Sequence, residues 1–197
     1  PHMAADVSTT VRECTACAKN RLRLLKKASQ MKLFPARTPL DSVAIDILGP
    51  LPKSTRGYLF MLVISDRFTK LTQVVPLRRI TAYDVAIAFV EHWVFKYGAP
   101  ATLLSDNGSQ FVAHFFRRVC DILQVHNVFT TTYHPQTNGQ VERFNRSLTA
   151  MLRCYVEDNP GLWCLYAPAL CYAYNMSVHS STGTTPVDLV LSRPPPE

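Results

Sequence analysis

Several features that would assign the chain to a membrane-bound or secreted class are missing from its 197 residues. No apolar run reaches the length of a bilayer-spanning helix. No secretory signal begins the chain, and we therefore expect its six cysteines to stay reduced in an intracellular setting. No internal repeat is found either, which argues against the solenoid and propeller folds that are built from repeated units.

An excess of one charge sign is also missing from most of the chain, although the net charge is +7. Between Arg12 and Arg37 lie eight basic residues and a single acid, Glu13, whereas the rest of the chain carries 13 basic and 13 acidic residues. A basic segment attracts nucleic-acid phosphates without reading their sequence. We therefore expect this arm to supply most of any nonspecific attraction to a polyanion.

What the chain does have is enough apolar material for one core domain. With a mass of 22.2 kDa and 47% hydrophobic residues, it suits a domain of roughly 150 residues with an extension. The prolines between Phe34 and Leu40 disfavour helix in the residues before them, which predicts an extended linker. The predicted divisions are a cloning scar at 1–3, a basic helical arm at 4–33, a linker at 34–41, a globular core at 42–192 and a proline-rich tail at 193–197.

Short apolar runs alternate with amphipathic segments through this core. The runs predict five strands, at 43–48, 58–65, 71–77, 101–105 and 125–130. The amphipathic segments predict helices from Thr81 as N-cap to Gly98, from Phe111 to Leu123, and at about 141–155, 162–173 and 186–191. In the second helix we expect these apolar side chains to face inward: Val112, Phe115, Phe116, Val119 and Ile122. The order of elements predicts an α/β fold with a mixed sheet.

Three acids occupy positions at which a carboxylate needs an explanation. Asp46 lies inside an apolar strand, where an unpaired acid is costly to bury, so it must reach water, bind a cation or pair with a base. Asp106 follows the strand 101–105 and precedes Asn107-Gly108, a pair that also fits an ordinary turn. Glu142 lies in the first turn of its helix, where the helix dipole alone favours an acid. The intervals between these acids are 59 and 35 residues.

The sequence contexts of these acids resemble one protein family. Asp46, Asp106 and Glu142, with the loop His134-Pro-Gln-Thr-Asn-Gly-Gln-Val-Glu-Arg143, resemble the catalytic core of retroviral and gypsy-type LTR-retrotransposon integrases. The resemblance runs from about Asp41 to Leu191 and includes the stretches 162–163, 173–175 and 179–186. It implies a ribonuclease H-like fold, in which helices flank both faces of a mixed five-stranded sheet, with an N-terminal helical extension.

In this family the three acids bind two divalent ions, and the resemblance carries that role to Asp46, Asp106 and Glu142. It implies an integrase: a polynucleotidyl transferase with endonuclease activity that uses Mg²⁺ or Mn²⁺ to trim the 3′ ends of element DNA and join them to target DNA. Asp46 would bridge both ions, Asp106 would bind one and Glu142 the other. Two alternatives stay open. One is a host-domesticated, noncatalytic module for DNA binding or assembly, and the other is a hydrolase of RNA–DNA hybrids, which the loop before Glu142 disfavours.

The resemblance also predicts DNA contacts and a mobile loop. The loop 133–141, with Pro135 and Gly139, is expected to be flexible and to position the DNA end. The residues predicted to contact DNA are Tyr133, Gln136, Asn138, Gln140, Asn145 and Arg146. Thr149 stands where retroviral relatives commonly carry a lysine, which weakens the case for a further contact on that helix. Arg143 and Arg153 are interpreted as solvated charges or members of ion pairs.

Zinc, partners and location follow from the resemblance as well. Cys14 and Cys17 alone cannot complete a zinc site, which needs four ligands, and two incidental thiols on a helix would show the same spacing. Integrases carry a His-His-Cys-Cys zinc domain ahead of the catalytic core, which in this chain is predicted at 42–192. Residues 4–33 are therefore interpreted as the C-terminal remnant of such a domain, with Zn²⁺ bound by Cys14 and Cys17 only in the full-length protein. The implied partners are double-stranded DNA and a second copy in a homodimer, with higher oligomers on DNA, no membrane, and action in the nucleus.

Overall fold

The computed structural model describes residues 38–129, 139–156 and 159–191, together with the isolated positions 3, 13, 14 and 36. The predicted basic arm, most of the linker and the proline-rich tail lie outside these residues, so the domain boundaries stay predictions. Across the described segments, none of the helices has both the length and the apolar character required to cross a bilayer.

Five strands form one mixed sheet in the spatial order β3-β2-β1-β4-β5. The strands are β1 (Ser42–Leu48), β2 (Phe60–Asp66), β3 (Thr72–Leu77), β4 (Thr102–Ser105) and β5 (His126–Phe129). The first three strands pair antiparallel, whereas β4 pairs parallel with β1, and β5 pairs parallel with β4. The mixed five-stranded sheet is thus confirmed, with strand bounds one or two residues from those predicted.

Helices follow the strands in the predicted order. Helix α1 (Ala82–Phe89) continues through a π-helical turn at Val90–Val94 and a last α-helical turn at Phe95–Tyr97. Its predicted cap is confirmed, because Thr81 Oγ1 accepts a hydrogen bond of 3.1 Å from the Asp84 amide. The others are α2 (Ser109–Val112), α3 (His114–Ile122), α4 (Gly139–Tyr155), α5 (Trp163–Asn175), which follows a 3₁₀ turn at Pro160–Leu162, and α6 (Pro186–Leu191).

Both faces of the sheet are covered by helices. On one face, Val43 and Ile45 of β1 pack in a cluster with residues of α1 and with Phe116 of α3. On the other face, Ala44 of the same strand packs in a cluster with residues of α4 and α5. Because successive side chains of a strand point to opposite faces, the strands must be apolar at nearly every position. The same alternation puts Asp46 on the face of Ala44, beneath α4.

The helix predicted from Phe111 to Leu123 is wrong in one respect, because the structure interrupts it at Ala113. Ala113 has an extended backbone (φ −61°, ψ 144°), so α2 and α3 are separate helices. The break shifts the helical register: Phe111 and Phe116 are fully buried, whereas Phe115 is 43% and Ile122 74% exposed. The prediction that Phe115 and Ile122 face inward is therefore corrected.

Candidate active site

Asp46 lies near the end of the central strand β1 and is held from two sides. Its Oδ1 accepts a hydrogen bond of 2.8 Å from the amide of Ile47, and its Oδ2 accepts one of 2.9 Å from Asn145 Nδ2 on α4. Asn145 is buried, and no partner within the described residues reaches its side-chain oxygen Oδ1. Asn145, which the sequence predicted as a DNA contact, thus positions the Asp46 carboxylate.

The three predicted acids influence one another electrostatically. The pKa of Asp46 is raised to about 6, mainly by burial and also by the negative charges of Asp106 and Glu142. The hydrogen bonds from Ile47 and Asn145 act in the opposite direction and lower this pKa. Because Asp46 is costly to ionise beside two other acids, a positive charge bound between the three carboxylates would be favourable.

Asp106 lies at the same end of the sheet as Asp46, at the carboxyl end of the neighbouring strand β4. It directly follows β4, which runs parallel to β1, so its carboxylate lies at the carboxyl end of that strand. Asp106 Oδ1 accepts a hydrogen bond of 2.9 Å from the amide of Gly108. A Cβ on Gly108 would lie only 2.9 Å from that same oxygen, so a side chain there would force the turn to shift. The turn interpretation of Asp106 is therefore correct, and it coexists with a position near Asp46.

Glu142 lies in the first turn of α4, as predicted. Its side chain is 42% exposed, and its Oε2 lies 3.9 Å from Nη2 of Arg146, one helical turn later. Such exposed ion pairs contribute little to stability, so solvent or a ligand displaces them readily. Arg146, a predicted DNA contact, thus lies beside Glu142 on one face of the helix.

The donor set suits a hard divalent cation, because carboxylate oxygens are the ligands that Mg²⁺ prefers. In the segments that the structure describes, however, no three His, Cys, Asp or Glu side chains are grouped closely enough to hold a metal ion. In this arrangement Oδ1 of Asp106 is hydrogen-bonded within its own turn, and Glu142 forms an ion pair with Arg146. By chemistry and charge the three carboxylates fit such an ion.

The half-buried side chain of Gln140 is hydrogen-bonded to the protein. Its Nε2 donates to Ser65 Oγ (3.0 Å) and to the carbonyl of Asp66 (2.8 Å), and its Oε1 accepts a hydrogen bond of 3.0 Å from Lys70 Nζ. These bonds fasten the first turn of α4 to the turn between β2 and β3. The sequence predicted Gln140 as a DNA contact and did not identify Lys70. Only the pairing of β2 with β3 and the placement of α4 bring the two together.

The other predicted site residues divide between described and undescribed parts of the chain. Gly139, predicted in the flexible loop, is the first residue of α4. Tyr133, Pro135, Gln136 and Asn138 lie outside the described residues, as does Cys17, so the roles assigned to them stay predictions. Cys14 is described and is partly buried.

Comparison with known proteins identifies relatives of this arrangement. A family model described as the integrase core domain matches residues 36–135, which include Asp46 and Asp106. The chain is 30% identical, over 187 residues, to the transposon Tf2-3 and Tf2-4 polyproteins of Schizosaccharomyces pombe strain 972. This alignment covers 94% of the chain but only 14% of each polyprotein. The chain therefore spans a small part of the curated relatives that it matches.

Solved structures share the fold. The chain superposes with a TM-score of 0.70 and 25% identity on a chain of the simian T-cell lymphotropic virus intasome in complex with PP2A regulatory subunit B56 gamma, covering 98% of this chain and 69% of that one. The HTLV-2 integrase catalytic core domain in complex with magnesium (trimeric form) gives a TM-score of 0.62 at 22% identity, with 78% and 97% covered. These similarities confirm the predicted ribonuclease H-like fold.

Proposed function

Because the chain belongs to the integrase core domain family, we propose that it is the catalytic core of a gypsy-type LTR-retrotransposon integrase. The proposed reactions are metal-dependent processing of the 3′ ends of element DNA and transfer of those ends into target DNA. The 30% identity to transposon polyproteins supports a retrotransposon origin. The site of action would then be the nucleus, where chromosomal DNA is found.

The observation that carries the proposal is the half-buried carboxylate of Asp46, whose pKa is raised by burial and by the charges of Asp106 and Glu142. Burying a carboxylate whose pKa is raised lowers the stability of the folded chain. An acid at this position, near the carboxyl end of the central strand, therefore calls for a functional reason. Divalent cation binding is that reason, because a cation offsets the repulsion among the three acids. Asp46, Asp106 and Glu142 would hold the ion or ions.

The chemistry to be catalysed is displacement at a phosphodiester, which resists attack by an anionic nucleophile. Bound Mg²⁺ or Mn²⁺ supplies positive charge that lowers the pKa of the attacking hydroxyl and stabilises the leaving oxygen. Asn145 fixes the Asp46 carboxylate through Oδ2, which preorganises the central ligand. Water as nucleophile trims a 3′ end, and the freed 3′-hydroxyl as nucleophile joins it to target DNA.

The test is an end-processing and joining assay with duplexes that mimic element ends. We expect Asp46→Asn, Asp106→Asn and Glu142→Gln each to reduce trimming and joining by at least about a hundredfold. The matched control is Asp121→Asn, which removes an exposed acid from α3 and should leave both reactions unchanged. Wild-type joining by any of the three site variants would refute the assignment of that residue.

The second candidate is a host-domesticated, noncatalytic module for DNA binding or assembly. The finding that favours it is the absence, in the described ranges, of a ready-made cluster of metal ligands. Such a module would bind DNA in a metal chelator as well as in Mn²⁺, and would neither trim nor join in either condition. An integrase core would gain both activities in Mn²⁺. A homodimer, with higher oligomers on DNA, is proposed in either case, since related integrase cores have been solved as dimers and trimers.

A further inference from the structure

Two parts of the chain that are distant in sequence, the turn between β2 and β3 and the end of α5 with the loop after it, meet the start of α4. The turn between β2 and β3 is bound to α4 through Lys70 and Gln140. The end of α5 meets α4 where the rings of Phe144 and Tyr174 pack edge to face at 4.7 Å. The loop after α5 then places the ring of His179 6.0 Å from that of Tyr174. Lys70 and His179 therefore both lie near the first two turns of α4, and the charge of Lys70 acts on His179.

Lys70 is fixed in place rather than extended into solvent. Its Nζ donates hydrogen bonds of 2.5 Å to the carbonyl of Arg67 and 3.0 Å to Gln140 Oε1, which leaves one of its three N–H donors available. Burial lowers the pKa of Lys70, Asp66 raises it, and the positive charges of Arg67 and Arg143 lower it. An anion beside Lys70 would offset that repulsion.

Arg143 and His179 complete the basic cluster, defined here as Lys70, Arg143 and His179. Arg143 is exposed, and within the described residues neither it nor Lys70 forms an ion pair. The pKa of His179 is lowered by burial and by the positive charges of Lys70 and Arg143, which favours the neutral ring. Its Nδ1 accepts a hydrogen bond of 3.3 Å from the Ser181 amide and lies 3.0 Å from Ser181 Oγ; in the tautomer in which Nδ1 accepts both, Nε2 carries the N–H.

The position of this cluster relative to the acids suggests its ligand. Glu142 and Arg143 are successive residues of α4, so their side chains leave the helix about 100° apart. Glu142 shares a face with Asn145 and Arg146, near Asp46, whereas Arg143 lies on the side of Gln140 and Lys70. A polyanion that passes over the start of α4 would meet both sides, and the amino-terminal end of this long helix adds positive potential.

We propose that Lys70, Arg143 and His179 bind a backbone phosphate of DNA next to, but separate from, the three carboxylates. The proposal rests on the proposed function for the identity of the ligand, a phosphodiester. In it, Arg143 and Lys70 supply the charge, and His179 donates one hydrogen bond from Nε2. Gln140 is a positioning residue, because it orients Lys70 and does not itself contact the DNA.

The test measures binding of the chain to a fluorescent DNA duplex by anisotropy, in a metal chelator, over a series of salt concentrations. The variants are Arg143→Gln, His179→Asn and Lys70→Gln, and Lys70→Arg is included to restore the charge. The matched control is Arg153→Gln, which removes the same charge from the last turn of the same helix. Thermal unfolding of each variant verifies that it is folded, and Arg143→Gln, at an exposed position, does not depend on a buried contact.

Losing one phosphate contact should weaken binding about eightfold at about 0.1 M salt and reduce the slope of log K against log[salt] by about 0.9. We expect this result for Arg143→Gln and for Lys70→Gln, and a smaller loss for His179→Asn. Lys70→Arg and Arg153→Gln should stay within about twofold of wild type. Equal losses for Arg143→Gln and Arg153→Gln would overturn the proposal, because general attraction would then explain the binding.

Two further results bear on the proposal independently of catalysis. Displacement of the duplex by inorganic phosphate at constant ionic strength would overturn it in favour of a small-anion site. Absence of any binding by the wild-type chain would overturn it too. The joining assay tests the proposed function separately. If the Arg143→Gln variant trims, joins and binds DNA like the wild type, the proposed function is retained and the basic cluster is refuted.

Discussion

Replacing Asp46 by asparagine should stabilise the protein in the absence of metal ions. The carboxyl group of Asp46 has a pKa of about 6 in the folded chain and an ordinary value of 3.8. Between these pH values the folded state binds more protons than the unfolded state, so the free energy of unfolding falls as pH rises. The contribution of this group is fully present below about pH 3.8 and is lost as pH rises through about 6.

The size of the effect follows from the same two pKa values. Each pKa unit corresponds to about 1.4 kcal/mol, so a gap of roughly two units gives about 3 kcal/mol above pH 7. Water at the edge of the sheet and relaxation around the charge reduce this figure, and we expect about 2–3 kcal/mol. Asparagine cannot ionise, and it avoids the repulsion from Asp106 and Glu142 at every pH.

The surroundings of Asp46 can satisfy an asparagine amide. The Ile47 amide would continue to donate to its oxygen. The new NH₂ group needs an acceptor, and Oδ1 of Asn145 is buried without a partner among the described residues. A flip of the Asn145 amide would supply that oxygen, which pairs the new NH₂ group, and the unpartnered position of Asn145 would then be occupied by its own NH₂ instead of its oxygen.

The assay is denaturant unfolding of wild type and Asp46→Asn in a metal chelator, at about pH 8 and about pH 4. At the higher pH the variant should be the more stable protein by about 2–3 kcal/mol, and at the lower pH the difference should shrink to below about 1 kcal/mol. The control Asp121→Asn removes an exposed acid and should show no such pH-dependent gain. Equal stability of wild type and Asp46→Asn at the higher pH would show that the acids do not repel one another as described.

Three further predictions concern metal binding, the start of α4 and the break between α2 and α3. Mn²⁺ should stabilise the wild type by about 2.7 kcal/mol when its concentration is a hundred times its dissociation constant, and should not stabilise Asp46→Asn; thermal-shift titrations compare the two. Gln140→Ala should lower the free energy of unfolding by about 1–3 kcal/mol, because it removes the partner of Ser65, Asp66 and Lys70, and a loss below about 0.5 kcal/mol in denaturant unfolding would contradict these bonds. In the same denaturant measurement, Phe116→Ala should lower the free energy of unfolding by about 3–5 kcal/mol, and Phe115→Ala by less than about 1 kcal/mol. Similar losses for the two variants would contradict the burial that follows from the break at Ala113.

The fold was predictable wherever its signals are local. Strands buried on both faces appear as continuous apolar runs, and the cap at Thr81 needs only an acceptor three residues from Asp84. The break at Ala113 was missed because neither proline nor glycine marks it. Alanine has the highest helix propensity, yet Ala113 adopts an extended conformation. With the chain broken at this residue, Phe111 and Phe116 are both buried.

For the site, the sequence predicted the three acids but not their partners. The motif around each acid is local, whereas the bond from Asn145 to Asp46 joins residues 99 positions apart, and that from Gln140 to Ser65 spans 75. Polar residues near a catalytic motif are reasonable candidates for ligand contacts on sequence grounds. Whether an amide faces a ligand or the sheet is decided by tertiary packing, which periodicity does not report.

These two bonds together determine how α4 presents Glu142. Gln140 binds the turn between β2 and β3, and Asn145 binds β1, so the first two turns of the helix are fixed to the sheet at both ends. Glu142 lies between these anchors and keeps an exposed side chain in a weak ion pair. The backbone of Glu142 is therefore fixed while its carboxylate is free to rotate. In the proposed metal site, the acids would stay apart until a cation offsets their repulsion, and the stability lost at Asp46 would be the consequence of keeping that carboxylate in place.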